Sequence, residues 1–420
     1  MIDIEQIREN REAVEKQLRK KAFADYDLDA VLRSHDDLVK LIKEVDGVRA
    51  EKNAAATNRE VEKGREVKVR LEKLESALAQ EENRFRELYY KIPNPPLDEV
   101  PEGDESQNVT LRKVGELPKF NFKPKDHVEI GENLDIIDIP RAAKVSGSRF
   151  AYLKGDGAML ELAIISYAMN KLVGKGFTPV FPPSLIRQEI TKGLGYWQEG
   201  GNENYYRVSD YDVEGGGTDL NLYLVGTGEH SVVPMHTGEV FKAEDLPKKY
   251  AAFSPCYRRE SGSYGRDTRG ILRVHQFDKV EMVAYVQPEG DETVWREMLS
   301  LVENMMRELE LPYQVVKLAA GDLGFPAAET IDIQTWIPTQ EKYRETHSIS
   351  TTTHFQAKRL NIKYLKGDGS KSYVHILNGT AFAIGRILIA ILENYQQKDG
   401  TVLVPKVLRD FIHKDTLSRL

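Results

Sequence analysis

Cysteine is nearly absent from this 420-residue chain; Cys256 is the only one. A single thiol excludes an intrachain disulfide framework and every CxxC zinc or redox motif. Proline is missing from the first 92 residues, and all 18 fall from Pro93 onward. Long apolar runs are lacking as well. The longest near-apolar stretch, 382–392, is too short to span a bilayer and carries Arg386 in its middle. The opening Met1-Ile2-Asp3-Ile4-Glu5 has no basic segment leading into an apolar one, so no signal peptide is read and a cytoplasmic location is expected. No GxxxxGK(S/T) occurs, which excludes a P-loop nucleotide site. Nor does one sign of charge dominate. The 66 acidic and 59 basic residues sum to −7, which argues against wholesale nucleic-acid coating but leaves room for a local basic patch. With 40% apolar and 30% charged residues the chain is globular, and its length suggests two or three domains.

The proline-free start reads as long helix. Val31, Leu38 and Val45 recur every seven residues, with Leu41 and Val48 between them; Leu71, Leu78 and Phe85, with Leu74 and Leu88, repeat the spacing. Such a 3.5-residue period is a coiled-coil seam. The polar stretch Thr57-Asn58-Arg59-Glu60-Val61-Glu62-Lys63-Gly64 between the series predicts a turn, hence two antiparallel helices. A helix of about 30 residues projects roughly 45 Å. The distal part, 49–74, holds eight basic residues (49, 52, 59, 63, 65, 68, 70, 73) against five acidic ones (51, 60, 62, 66, 72), a balance of 8 − 5 = +3. Two readings of that charge stand: a polyanion-binding arm, or the solvated flank of a coiled coil.

Ile92-Pro93-Asn94-Pro95-Pro96 ends the second helix, because proline lacks an amide donor and disfavours a helical predecessor. A polar, acidic linker, 98–107, follows. Beyond it, strand-like and helix-like patterns interleave without a strict βα rhythm, which predicts an α+β domain rather than a doubly wound parallel sheet. The expected division is 1–105 for the helical arm and 106–420 for the second domain. Strong helices are expected over 158–173 and 381–395.

The densest chemistry runs from Cys256 to Glu281. Arg258, Arg259, Arg266, Arg269 and Arg273 fall within 16 residues, punctuated by Gly262, Gly265 and Gly270. The flanks 250–259 and 271–286 look like strands, so the centre reads as a long hairpin loop. Arginine forks match phosphate and carboxylate oxygens better than lysine does. Period-two alternation puts Arg273, His275, Phe277 and Glu281 on one face: cations for phosphate, a ring for a base, a carboxylate for an ammonium. Farther on, Arg386 is the sole charge in an apolar helix. A buried, unpaired guanidinium costs several kcal/mol, so it must meet an anion, either a protein carboxylate or a nucleotide phosphate. Gly385 beside it points to a close approach.

These residues resemble a known family. Arg258-Arg259-Glu260 with its arginine–glycine hairpin is similar to motif 2 of the class II aminoacyl-tRNA synthetases. Asn378-Gly379-Thr380 through Arg386 is similar to motif 3, and Gly176-Phe177-Thr178-Pro179-Val180-Phe181-Pro182-Pro183 to motif 1. Within that class the text is similar to seryl-tRNA synthetases in Ser146-Gly147-Ser148-Arg149-Phe150, Gly265-Arg266-Asp267-Thr268-Arg269-Gly270, His275-Gln276-Phe277-Asp278-Lys279-Val280-Glu281, Phe355-Gln356-Ala357 and Tyr395-Gln396-Gln397. The resemblance spans nearly the whole chain. It implies a catalytic domain with an antiparallel sheet flanked by helices, plus a two-helix coiled-coil arm that binds tRNA. It also implies a homodimer, with no membrane involvement, whose arm reaches tRNA on the other subunit.

The implied activity is ATP-dependent activation of L-serine to seryl-adenylate and transfer to tRNA(Ser), and to tRNA(Sec) where present. By the same resemblance Arg258 contacts the α-phosphate, Glu260 the adenine amino group, Phe277 and Val274 the adenine ring, and Arg386 the γ-phosphate. Glu345 and Ser348 hold ATP and its Mg²⁺, with Arg259, Thr346 and His347 beside the nucleotide. Thr227, Gly228, Glu229, Arg258, Glu281 and Thr380 surround serine.

Some positions depart from the family's usual text. Gly228 stands where alanine is usual and is expected to loosen its loop; Thr351 and His354 replace an asparagine and an aspartate; Arg259 replaces a small polar residue. None removes a residue assigned to ATP or serine. His347 and His354 are a weak zinc pair, Cys256 reads as a packed strand residue, and Gly215-Gly216-Gly217 as an insertion. Two alternatives carry different outcomes: a relative that loads an amino acid onto a carrier protein, which the basic arm opposes, and a non-catalytic paralogue, which the retained charged residues oppose.

Overall fold

The computed structural model describes residues 1–196, 201–208, 221–261 and 269–419. Gly215, Gly216 and Gly217, and the part of the arginine–glycine hairpin holding Gly262, Gly265 and Arg266, lie outside the described residues. The chain divides into two compact units, Met1–Pro95 and Pro96–Leu420.

In the first unit the heptad spacing becomes two 30-residue helices, α1 (Leu28–Thr57) and α2 (Val61–Tyr90). Asp27 caps α1 by accepting from the Ala30 amide, satisfying a donor the helix leaves open. Val45 and Val48 of α1 are buried against Val67 and Leu71 of α2, while Val31 packs near Phe85 and Leu88, so the pair runs antiparallel. The turn is tighter than the polar stretch suggested. Only 58–60 lie between the helices, with Arg59 left-handed at φ +58°, and Gly64 sits inside α2. Arg49–Glu75 (2.8 Å) and Arg70–Glu51 (3.3 Å) cross between the helices on their exposed flanks. Two short helices, Ile4–Glu9 and Arg11–Arg19, were not expected. They bury Ile7, Val14 and Leu18 against Leu28, Val31 and Ile92, a small core at the base of the pair. Each is too short to show a repeating apolar period.

The second unit is built on a sheet of eight strands. In chain order, the strands and the helices that matter to the site are β1 (Val109–Val114), α3 (His127–Asn133), α4 (Asp156–Val173), β2 (Thr178–Val180), α5 (Glu229–Val232), β3 (Lys248–Tyr257) and β4 (Gln276–Val286). There follow α6 (Asp291–Glu308), β5 (Tyr313–Lys317), β6 (Glu329–Ile337), β7 (Lys342–Thr351), β8 (His375–Ala383) and α7 (Ile384–Asn394). The sheet order is β1-β5-β6-β7-β8-β4-β3-β2. All pairings are antiparallel except β2 with β3 at one edge. This is the α+β arrangement expected. The acidic linker is not free-running: Leu97 donates to the Ala328 carbonyl, and Val100 is buried with Val316, Leu318 and Leu323.

Alternation along β4 organises the interior. Val280, Met282, Ala284 and Val286 enter the main core with Leu160 and Ile164 of α4 and Ile387 and Leu388 of α7. On the other face Phe277, Lys279 and Glu281 line a cleft, and Val283 and Tyr285 continue into a second apolar cluster. β4 begins at Gln276 rather than 271, because 270–275 is bound elsewhere, with Gly270 at φ +84° and Ile271 held by His127. Helix α7 begins at Ile384, three residues late, because 381–383 remain in β8. Leu160 is fully buried, so Leu160→Ala should lower stability by about 2–5 kcal/mol. Urea unfolding should show this as a lower midpoint with an unchanged slope.

Candidate active site

A cleft of about 1110 Å³ opens on the β4–β8–β7–β6 face of the sheet. It gathers five cations, Arg258, Arg273, Lys279, Arg344 and Arg386, among a comparable number of carboxylates. A side slot of about 70 Å³ is walled by Ile271, Leu272, Val274, Phe277, Thr346 and Gly385.

Two β-bulges decide which side chains reach the cleft. Glu345 and Ser348 are three apart, so a regular strand would turn them to opposite faces. Between β6 and β7 the register shifts at Ile333/Gln334: Gln334 pairs with Glu345 but Ile333 with His347. The extra residue, Thr346, lets both Glu345 and Ser348 face the cleft. A second shift, at Val280/Glu281, pairs Glu281 with Thr380 and Val280 with Phe382. Thr380 is thereby delivered to the cleft while Phe382 enters the core.

At the deep end two buried carboxylates face each other in different states of compensation. Glu281 pairs with Lys279 and accepts from the hydroxyls of Thr227 and Thr380, both at 3.4 Å. Glu229 accepts only from neutral donors: the Tyr196 hydroxyl (2.8 Å to each oxygen), the Gln356 amide (2.9 Å) and the Asn378 amide (3.2 Å). Burial, then the nearby Glu281 charge, raises the Glu229 pKa to about 6. Glu229 is thus ionised at neutral pH, and among the described residues no cation pairs with it, although the Lys279 charge partly favours its ionised form. It is a ready seat for a small ammonium. Gly228 has a second effect besides the loosening expected of its loop. Its backbone is helical, and a Cβ there would lie 3.2 Å from Ser254 Oγ and 3.4 Å from Ala252 Cβ, so the glycine lets the loop pack down on β3.

Arg258 sits at the centre. Its Nε donates to the Gly226 carbonyl (3.0 Å) and its guanidinium lies over the Phe277 ring (5.4 Å). Glu260, left-handed at φ +52°, pairs with Arg273 at 2.8 Å. A non-glycine residue there costs roughly 1–2 kcal/mol, held in place by its surroundings. Arg386 is less enclosed than its apolar helix implied. It lies at the cleft, 28% exposed, with Nη1 donating to the Glu345 carbonyl (2.8 Å) and 3.1 Å from its carboxylate. The carboxylate alternative therefore holds in this structure, with a face of the guanidinium still open to the cleft. Partial desolvation works against ionisation of Glu345, whose side chain is half exposed, but Arg386 and Arg258 outweigh it and hold its carboxyl below the usual range.

Asp332, opposite Ser348 in the β6–β7 register, is buried, and its Oδ1 has no hydrogen-bond partner among the described residues. Burial and the Glu345 charge push its carboxyl well up. An orphaned carboxylate oxygen beside a second carboxylate and a hydroxyl is an incomplete site that a hard cation completes, so the donor set of Glu345, Ser348 and Asp332 fits Mg²⁺. Among the described residues no group of three or more His, Cys, Asp or Glu is arranged to hold a metal ion.

Three expected residues point elsewhere. His347 lies in the core against Phe382, its Nδ1 at 2.8 Å from Thr346 Oγ1, and burial lowers its pKa to about 3. Arg259 is exposed and outside the cleft lining, the alternate of Arg258 in an extended chain. His275 leaves the face shared by Phe277 and Glu281 because it precedes β4; its Nδ1 lies 2.9 Å from the Arg258 carbonyl. Cys256 is buried in β3 as expected. Lys279 was missed although the alternation through 277 and 281 includes it, and Asp332 sits in a strand with polar residues at 330, 332 and 334. Gln356 and Asn378 belong to quoted motifs but had no role. Nothing local marks Tyr196.

Comparison with known proteins agrees with this geometry. The family described as tRNA synthetase class II core domain (G, H, P, S and T) matches residues 211–395, and the seryl-tRNA synthetase N-terminal domain matches 1–96. The chain is 40% identical to serine–tRNA ligase of Rhodococcus opacus over 99% of this chain and 100% of that protein. It is 41% identical to serine–tRNA ligase of Corynebacterium glutamicum over 99% and 98%. Among solved structures, seryl-tRNA synthetase from Pyrococcus horikoshii complexed with ATP aligns over the full length of both chains with a TM-score of 0.86 at 36% identity. Cytoplasmic serine–tRNA ligase from Naegleria fowleri with AMP aligns over 100% and 99% with a TM-score of 0.84 at 29% identity. A bulged antiparallel sheet with this charge pattern, matched end to end by such relatives, has one placement: the chain belongs to the seryl-tRNA synthetase family of class II aminoacyl-tRNA synthetases.

Proposed function

We propose that the chain is a serine–tRNA ligase that uses ATP to activate L-serine as seryl-adenylate and transfers the seryl group to tRNA(Ser). The observation that carries the serine reading is the unequal pair of carboxylates. Glu229, uncompensated, takes the ammonium of serine. Glu281, already paired with Lys279, acts with Thr380 and Thr227 as hydrogen-bond partner for the hydroxyl. An amino acid lacking that hydroxyl leaves buried polar groups unpaired, which rejects it strongly.

For the nucleotide, Phe277 and Val274 provide the slot for adenine, with Glu260 at its edge. Arg258 stands between slot and amino-acid pocket, at the place for the α-phosphate, and Arg386 exchanges its Glu345 contact for a terminal phosphate. Glu345 and Ser348, with Asp332 behind them, would hold Mg²⁺, which supplies charge neutralisation for the phosphates. In the first half-reaction the serine carboxylate attacks the α-phosphorus and pyrophosphate leaves. In the second a terminal ribose hydroxyl of tRNA attacks the acyl carbon of the mixed anhydride, the acyl–phosphate bond breaks and AMP leaves. Both need alignment and charge stabilisation rather than a side-chain nucleophile. The helical unit is the tRNA-binding arm, supported by the exposed basic residues of 49–74. The homodimer reading is supported by exposed apolar side chains, Met159 and Leu162 one turn apart on α4 and Phe181 in motif 1, at 43%, 54% and 77% exposure.

Serine-dependent exchange of pyrophosphate into ATP tests the activity; a folded protein with none refutes it. Its kcat/KM for serine should fall about tenfold per pH unit below a midpoint near 6, as Glu229 takes up a proton and loses its hold on the ammonium. Glu229→Gln should abolish that acid limb along with most serine affinity. Deleting 27–91 should leave exchange largely intact and abolish tRNA charging; unaffected charging would remove the arm's role. Leu162→Glu should halve the mass seen by analytical ultracentrifugation, whereas an unchanged mass places any dimer contact elsewhere.

A further inference from the structure

Helix α3 lies outside the motifs that mark this family, yet its first residues grip both sides of the nucleotide cleft. Gln396, just past α7, accepts from the Lys125 amide (2.8 Å) and donates to the Lys125 carbonyl (3.0 Å). Asp126, the N-cap of α3, forms a capping box with Glu129 and reaches Arg269 at 3.2 Å. His127 is buried. Its amide donates to Glu393 Oε1 (3.1 Å), its Nδ1 lies 3.0 Å from the same oxygen, and its Nε2 accepts from the Ile271 amide (3.3 Å). Because Nε2 accepts, the proton is on Nδ1 and the ring is the neutral tautomer. Glu393, wholly buried in α7, spends its other oxygen on the Thr339 amide (3.2 Å) and hydroxyl (2.6 Å). Gly270 presses on the same ring: a Cβ there would stand 2.0 Å from His127 Nε2.

We propose that His127 is a positioning residue that holds the 270–274 wall of the adenine slot in register with the helix carrying Arg386. The proposal rests on the nucleotide reading above. Ile271, Leu272 and Val274 belong to no strand, so β-pairing does not fix them; the Ile271 amide is fixed by the imidazole instead. Arg386 sits in the first turn of α7, and Glu393 lies seven residues on, two helical turns away. The relay from Glu393 through His127 to Ile271 therefore ties the phosphate end of the cleft to its adenine end through one rigid helix. A buried, fully satisfied polar chain of this kind rigidifies what it joins.

Substitutions at His127 separate positioning from bulk. His127→Gln places an acceptor near the Nε2 position, His127→Asn keeps only the Glu393 side, and His127→Leu keeps volume alone. In pyrophosphate exchange, Asn and Leu should raise KM for ATP about tenfold, the size of one lost buried hydrogen bond, with KM for serine unchanged. Gln should restore most of the loss. Equal effects on both substrates, or a Gln variant no better than Asn, would overturn the assignment, as would unchanged ATP kinetics in all three. Gly270→Ala, which leaves His127 and Glu393 in place, should reproduce the ATP-specific defect should the Leu variant fail to fold; a wild-type KM for ATP there also counts against the proposal. Equilibrium dialysis against ATP reads the same wall without amino-acid chemistry. A wild-type protein that binds ATP but shows no exchange would thus defeat the ligase reading while the variants still decide the role of His127.

Discussion

A pocket meant to hold a polyphosphate and an ammonium together needs both signs of charge within a few ångströms, without letting them cancel. Nearly every feature of the cleft answers that constraint. Lys279 neutralises Glu281, Arg273 neutralises Glu260, and Arg386 rests on Glu345, so several of the cleft's charges are already paired. Glu229 is held instead by neutral donors, Tyr196, Gln356 and Asn378. Three neutral donors stabilise the carboxylate while leaving its net charge uncancelled. A lysine in their place would stabilise it more and attract a substrate ammonium less.

Delivering these groups to one face requires breaking strand regularity twice. The bulge at Thr346 brings Glu345 and Ser348 to the same side, and the bulge at Ala381 separates Thr380 from Phe382. Each adds an unpaired residue to a ladder, a local cost borne where function needs an aim that alternation denies. The strained backbone at Glu260 belongs to the same group of departures from regularity. Outside the sheet, the relay through His127 does with one imidazole what a strand pairing would otherwise do.

Much of this was legible beforehand. The arm followed from the absence of proline and a sustained heptad, and its seam, Val45 and Val48 on Val67 and Leu71, lies where the period put it, save that Val67 was not counted. The α+β sheet followed from pattern and from motif resemblance, and most residues assigned to ATP or serine converge on one cleft. His347 and Arg259 did not, because motif membership says nothing of which face a neighbour takes. The two N-terminal helices were missed because six and nine residues are too few to show a period.

Composition and spacing by themselves determined the class of the longer segments, since helical and strand periods are local properties that survive without knowledge of partners. Together with the motif text they also determined which residue types do the chemistry. Tertiary structure alone decided which of those residues meet. The gathering of Tyr196, Gln356 and Asn378 around Glu229 and the grip of His127 on Ile271 join segments tens to hundreds of residues apart. Their energies arise from burial and from distances of about 3 Å, and neither exists until the chain has closed on itself.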